Sequence, residues 1–232
     1  MFIKISRWVS IVVISALPLL LTSCAKKINI SHMSYANKKA IPQGFPLGSS
    51  FVIESLDHEN TMIEQDIAHK IELILQDKGY SIKESHLAQY CLLFNYRIQQ
   101  TKRTEDVVTF VPGKVINSYR SAISNGNTKL YQDRIETPGK FVTVPEVHIL
   151  FAKSIVIQIF NAQSYRQESA PRLIWQGSAQ YCDENNDLRD VLNYLLITAL
   201  RDIGIDTQKN VITTISSDDK EILQLHNQLF CD

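Results

Sequence analysis

Apolar and polar positions alternate along this chain with two different periods, and each period predicts a different element. From residue 48 onward, Ser50-Phe51-Val52-Ile53-Glu54-Ser55-Leu56 is a short run rich in β-formers. Asp57-His58-Glu59-Asn60 then turns the chain. Thr61 and Glu64 have capping-box spacing, and Ile63, Ile67, Ile71, Ile74 and Leu75 follow at helical steps, predicting a helix over 62–78 stopped by Gly79. Tyr90, Leu92, Phe94, Tyr96 and Ile98 alternate with polar residues, predicting a half-buried strand over 90–98. Strand, helix, strand in that order predicts a parallel pair joined by a right-handed crossover.

Two further strands are expected at 148–161, with Ile155, Ile157 and Ile159, and at 172–181, where Leu173, Trp175, Ala179 and Tyr181 share a face. They read as an antiparallel hairpin joined by a loop through Pro171. Gly177 lies on the same face as Trp175, and its missing side chain leaves room for that indole or for a crossing helix. Asp187 caps the clearest helix, whose stripe Leu188, Val191, Leu192, Leu195, Ala199, Leu200 and Ile203 runs to Gly204. Val211 to Ile215 adds an edge strand, and 216–230 a terminal helix through Ile222, Leu225 and Leu229.

Between these elements the pattern changes. Residues 99–145 gain polar residues and two Pro-Gly turns, Pro112-Gly113 and Pro138-Gly139. Val107–Val111 and Val115–Tyr119 are expected to flank the first turn as a hairpin, with 124–127 a mobile tip. The segment reads as an insertion, partly β and partly disordered. The whole predicts an α+β fold: a mixed, mostly antiparallel sheet with two main amphipathic helices on one face and a β-rich insertion at 99–145. The single domain spans 48–215, and 216–232 is a helical tail.

The first residues obey neither period. Lys4 and Arg7 precede Trp8–Leu21, fourteen largely apolar residues broken by Ser10, Ser15 and Pro18. That is short of the roughly 20 residues a spanning helix needs, and it has the layout of a secretory signal peptide. Leu21-Thr22-Ser23-Cys24 ends it. These four residues resemble the lipobox of bacterial lipoproteins. The resemblance implies that residues 1–23 are a signal peptide, that the Cys24 thiol takes a diacylglyceryl group, and that the new amino terminus receives an acyl chain such as palmitate. Several acyl chains hold a protein stably where one holds it marginally. Ala25 after the cysteine implies the outer membrane, with the domain in the periplasm. Residues 24–47, carrying Lys26, Lys27, Lys38, Lys39, Pro42, Gly44 and Pro46, read as a lipidated tether. About twenty flexible residues reach roughly 25 Å.

Removing residues 1–23 leaves 209 residues with 22 basic and 24 acidic side chains. No basic stripe stands out, which argues against nucleic acid as a partner. An oxidising compartment permits a disulfide, for which Cys182 and Cys231 are the expected pair; Cys91, among Tyr90, Leu92, Leu93 and Phe94, reads as a buried thiol.

The order of features has a second resemblance. Asp77-Lys78-Gly79-Tyr80 closing a helix, Leu87-Ala88-Gln89-Tyr90 opening a strand, and Leu173–Ala179 with Trp175, Gly177 and Ala179 resemble the lipoproteins grouped as domain of unknown function 4136. In that family Ala-Asp often stands where this chain has Ala88-Gln89. The family implies an α/β domain with helices on one side of a sheet and carries no accepted activity.

Chemistry leaves few traces. His32, His58, His69, His86, His148 and His226 are scattered, and Asp57-His58-Glu59 has the polarity of a turn, so no metal site is expected. Gly48-Ser49-Ser50 and Gly177-Ser178 lack the frame of a nucleophile elbow. Asp183, Glu184 and Asp187 favour the start of the last main helix. The expectation is a non-enzymatic envelope lipoprotein, with no cofactor beyond the lipid on Cys24, whose partners are the bilayer and another envelope protein. The alternatives are a cell-wall or small-ligand binding module using Phe110, Tyr119, Tyr131 and Phe141, and a hydrolase with an unfamiliar site.

Overall fold

The structure, a computed structural model, describes residues 25–56, 61–124 and 127–227. The expected signal segment, the lipobox-like residues with Cys24, the cluster at 57–60 and Cys231 lie outside the described residues. Nine strands and four helices are described: β1 (Lys27–Ala36), β2 (Ser50–Ser55), α1 (Met62–Asp77), β3 (Ser81–Ile82), β4 (Tyr90–Val111), β5 (Val115–Ser124), β6 (Asn127–Glu136), β7 (Lys140–Asn161), α2 (Ala162–Gln167), β8 (Leu173–Asp183), α3 (Arg189–Leu200), β9 (Val211–Ser216) and α4 (Lys220–Asn227). The fold is α+β, with a mixed, mostly antiparallel sheet. Two compact units divide the chain: one holds residues up to 97, 153–181 and 187 onward, the other 98–152 and 182–186.

In the first unit the strand order is β3-β2-β4-β7-β8-β1-β9, strands β4 and β7 running on into the second. β2 pairs with β4 in parallel, as the strand–helix–strand order predicts, and the intervening α1 carries the reason. Thr61 accepts from the Glu64 amide, and the Glu64 carboxylate accepts from the Thr61 amide at 2.9 Å, so both free donors at the helix start are satisfied. Ile67, Ile71, Ile74 and Leu75 are buried, and Gly79 closes the helix at φ +84°. α1 and α3 cover one face of the sheet. Their side chains share a core with Ile28, Ile30, Leu92, Phe94, Ile155, Ile157, Ile159, Trp175 and Ala179 from the strands.

Gly177 marks the closest approach in that core. A β-carbon there would lie 2.3 Å from Trp175 Cη2 and 2.4 Å from the Ala199 carbonyl oxygen of α3. Both sequence explanations for this glycine therefore hold together. The Asp187 carboxylate accepts from the Arg189 amide at 3.0 Å and is also gripped by the Arg189 guanidinium. The N-cap position of α3 falls on Leu188, which makes no side-chain capping bond, so the cap expected of Asp187 is replaced by this local ion pair.

Three elements depart from the sequence reading. Residues 24–47 were expected as a tether, yet β1 lies inside the sheet, antiparallel to both β8 and β9. Its inward positions are Ile28, Ile30, His32, Ser34 and Ala36, and the two polar ones are satisfied from afar: Ser34 Oγ donates to the Ile205 carbonyl, and His32 Nε2 lies 3.0 Å from Thr213 Oγ1. The loop before Pro171 contains α2, whose first amides donate to the Asn161 side chain. The hairpin expected around Pro112-Gly113 is replaced by β5 pairing with β6, Ser124 opposite Asn127. A type II Pro-Gly turn splays the strands it joins, which disfavours the expected pairing of the segments on either side of Pro112-Gly113.

Candidate interaction surface

The second unit has the composition of an insertion and the geometry of a ribbon. β5 and β6 make a two-stranded antiparallel sheet of ten residue pairs, from Val115–Glu136 to Ser124–Asn127. At its base the Thr137 amide donates to the Lys114 carbonyl, and the Lys114 amide to Thr137 Oγ1, both at 2.9 Å. The two Pro-Gly corners meet here. A β-carbon on Gly113 would collide with the Thr137 carbonyl, so contact requires glycine at that corner; one on Gly139 would meet the exposed Phe110 ring, which can swing aside. The partner of β4 in this unit is β7, its neighbour in the sheet order.

No helix of the described residues lies in this unit, and its apolar side chains stay at the surface: Val108, Phe110, Val115, Ile116, Phe141 and Val147 are all more than half exposed. Two-stranded ribbons without a covered face are marginal in water, and unpaired strand edges are templates for another strand. Charges are balanced within the ribbon itself. Arg103 pairs with Glu105 at 2.8 Å, Arg120 with Asp133 at 2.7 Å and Arg134 with Glu136 at 2.7 Å.

Of the expected stacking residues, Phe110 and Phe141 come together, ring centroids 5.2 Å apart at 58°. Tyr119 stands apart on β5, 67% exposed. Tyr131 belongs to β6, opposite Arg120.

The other candidates fall into structural roles. Cys91 is buried against Val52, Phe160, Ala162 and Tyr165. Burial, reinforced by Glu54 and opposed by Arg166, pushes its thiol up to about 12, so it is no nucleophile near neutral pH. Cys182 is exposed. Ser49 Oγ donates to the Pro46 carbonyl, Ser50 Oγ accepts from the Gln89 amide, and Ser178 Oγ donates to the Met33 carbonyl. Among the described residues no group of three or more His, Cys, Asp or Glu could hold a metal ion.

One grouping escaped the sequence reading. His32 of β1 stands between Thr213 of β9 and Asp202, whose carboxylate is 3.6 Å from Nδ1, while Arg201 donates to the same threonine at 3.4 Å. The residue types match a relay, but His32 is only 4% exposed, which seals the imidazole from any substrate. Burial holds its pKa below the usual value, Asp202 opposing and Arg201 assisting. A polar cavity of about 680 Å³ lies by Ser49, His86, Gln89, Tyr90, Asn161 and Arg166. Several of its polar atoms already serve the fold: Gln89 holds Ser50, Asn161 caps α2, and Arg166 Nε donates to the Ala162 carbonyl.

No family model and no curated protein matches this chain. Among solved structures, a PDZ domain protein from Parabacteroides distasonis aligns with 83% of this chain at 16% identity and a TM-score of 0.42. The chain spans 39% of that protein's length. A likeness of this degree transfers neither fold nor activity. Among the described residues no helix is long and apolar enough to cross a membrane.

Proposed function

We propose that this chain is a lipid-anchored envelope protein, held at the outer membrane through Cys24 with its domain in the periplasm, and that it binds another protein through the ribbon of its second unit. The anchor reading rests on Leu21-Thr22-Ser23-Cys24 after an apolar run of signal length and on the resemblances it carries. The binding reading is carried by one observation: ten-residue strands β5 and β6 form a sheet of two, with apolar side chains exposed along it. Backbone donors and acceptors on its outer edges are free to take a further strand, the mode in which main-chain hydrogen bonds supply affinity and side chains supply choice.

Labelled fatty acid fed to intact cells tests the anchor: incorporation should disappear in Cys24→Ser, and label persisting in that variant refutes it. Crosslinking from the ribbon tests the binding. A defined adduct should form with the whole chain and vanish when residues 100–145 are deleted; an adduct that survives the deletion refutes the role of the ribbon. The Phe110–Phe141 pair supports a second reading, a stacking platform for a sugar ring of the cell wall. Retention of wall fragments would then fall in Phe141→Ala, and unchanged retention removes it.

A further inference from the structure

We infer that the occupant of the ribbon edge is a second copy of this chain, docked strand to strand through β5 in an antiparallel, two-fold pairing. This rests on the binding role proposed for the ribbon and adds the partner's identity.

The two edges of the β5–β6 sheet are not equivalent. β6 carries Lys129, Asp133, Arg134 and Glu136 along its ten residues, the kind of charge that blocks edge-to-edge pairing. β5 carries Arg120 alone among Val115, Ile116, Tyr119, Ile123 and small polar residues, and has neither proline nor glycine. The unprotected edge is therefore β5. Its one cation is already neutralised inside its own ribbon by Asp133. An oppositely charged partner would find no field to follow, whereas a second β5 adds only an arginine already paired within its own ribbon.

The sequence of β5 is also complementary to itself. In an isologous antiparallel pair the same patch serves both copies, and residues on one face must oppose residues on that face. A two-fold centred on Tyr119 meets this condition. It sets Tyr119 against its own copy, Val115 against Ile123, Ile116 against Ala122, Asn117 against Ser121, and Ser118 against Arg120. Apolar and aromatic pairs fall opposite one another, and the two arginines stand on a diagonal, two residues out of register, rather than directly opposite. Centring on Arg120 instead would place like charges directly opposite.

The test uses the whole chain in its native membrane. In a Cys182→Ser, Cys231→Ser background, Tyr119→Cys should give a disulfide-linked dimer on mild oxidation, since directly opposed residues have Cα atoms about 4.5–5.5 Å apart. Gln132→Cys, the β6 residue registered with Tyr119, should give none, because the outer strands of the four-stranded sheet lie about 14 Å apart. Ser118→Arg keeps a favourable neighbour in Asp133, its registered partner on β6, but confronts Arg120 of the second copy twice. Introduced together with Tyr119→Cys, it should lower the dimer yield about fivefold or more. Equal dimer from Gln132→Cys, no dimer from Tyr119→Cys, or a yield indifferent to Ser118→Arg would each overturn the pairing. A Tyr119→Cys adduct with a different envelope protein would also overturn it while leaving the broader binding reading intact.

Discussion

Replacing Gly177 by alanine is the sharpest perturbation of this fold, because the obstacles to a single methyl group are both immovable. The new β-carbon would stand 2.3 Å from Trp175 Cη2 and 2.4 Å from the Ala199 carbonyl oxygen, more than an ångström inside ordinary contact. Trp175 is fully buried, and its indole N–H donates to the Ile205 carbonyl at 3.1 Å, so the ring has no free rotamer to take. The carbonyl belongs to the α3 backbone and moves only if the helix moves. Overpacking of this kind costs about 1–3 kcal/mol. Removing glycine from the unfolded ensemble returns about 0.4–1 kcal/mol, leaving a net loss of about 1–2 kcal/mol. With a urea dependence of about 2 kcal/mol per molar, the unfolding midpoint should fall by about 0.5–1 M. Trp175 is the single tryptophan after residue 23, so its emission in a urea titration reports the core directly. A midpoint unchanged or raised in Gly177→Ala would refute the claim that sheet and helix touch through this glycine.

Three other outcomes are expected. Thr61→Ala removes one half of the capping box and should cost about 1 kcal/mol in the same titration. His32 is held below its ordinary 6.5 chiefly by burial, so the unfolded chain takes up its proton first; stability from this group is complete above that pH and declines as pH falls through it, and His32→Gln should flatten that part of a midpoint-against-pH curve. In reduced protein at pH 8, mass mapping after alkylation should find Cys182 modified and Cys91 untouched until urea exposes it, in keeping with burial and a thiol pushed to about 12.

Where a segment buries one continuous apolar face, the chain declares itself. The α1 stripe and its cap and the run through Ile155, Ile157 and Ile159 are legible because burial and period coincide, whereas the half-buried strand expected at the start of β4 is buried on both faces from Cys91 to Phe94. β1 is illegible for the opposite reason. Its inward side replaces two apolar positions by His32 and Ser34, whose partners Thr213 and Ile205 are more than 170 residues away, and no local pattern carries that. The ribbon misleads in a third way. With both faces open to water, nothing selects apolar residues at alternate positions, so Lys102, Arg103, Glu105 and Asp106 stand in a strand that reads as loop. The grouping of Phe110 with Phe141 depends on pairing across thirty residues, and only the two Pro-Gly corners hint at it.

The placement of β1 changes what an acylated cysteine would do. Only Ala25 and Lys26 separate Cys24 from the first residue of the sheet, a leash of about 10 Å at full stretch. The Lys26 amide is itself bound to Ser217 beyond β9, so most of that slack is already taken up. Fatty chains on this sulfur would leave the body no freedom to wander from the lipid surface. It would ride against the headgroups with the Lys27–Ser216 end of its sheet facing down, its orientation set by backbone hydrogen bonds rather than by a swinging linker.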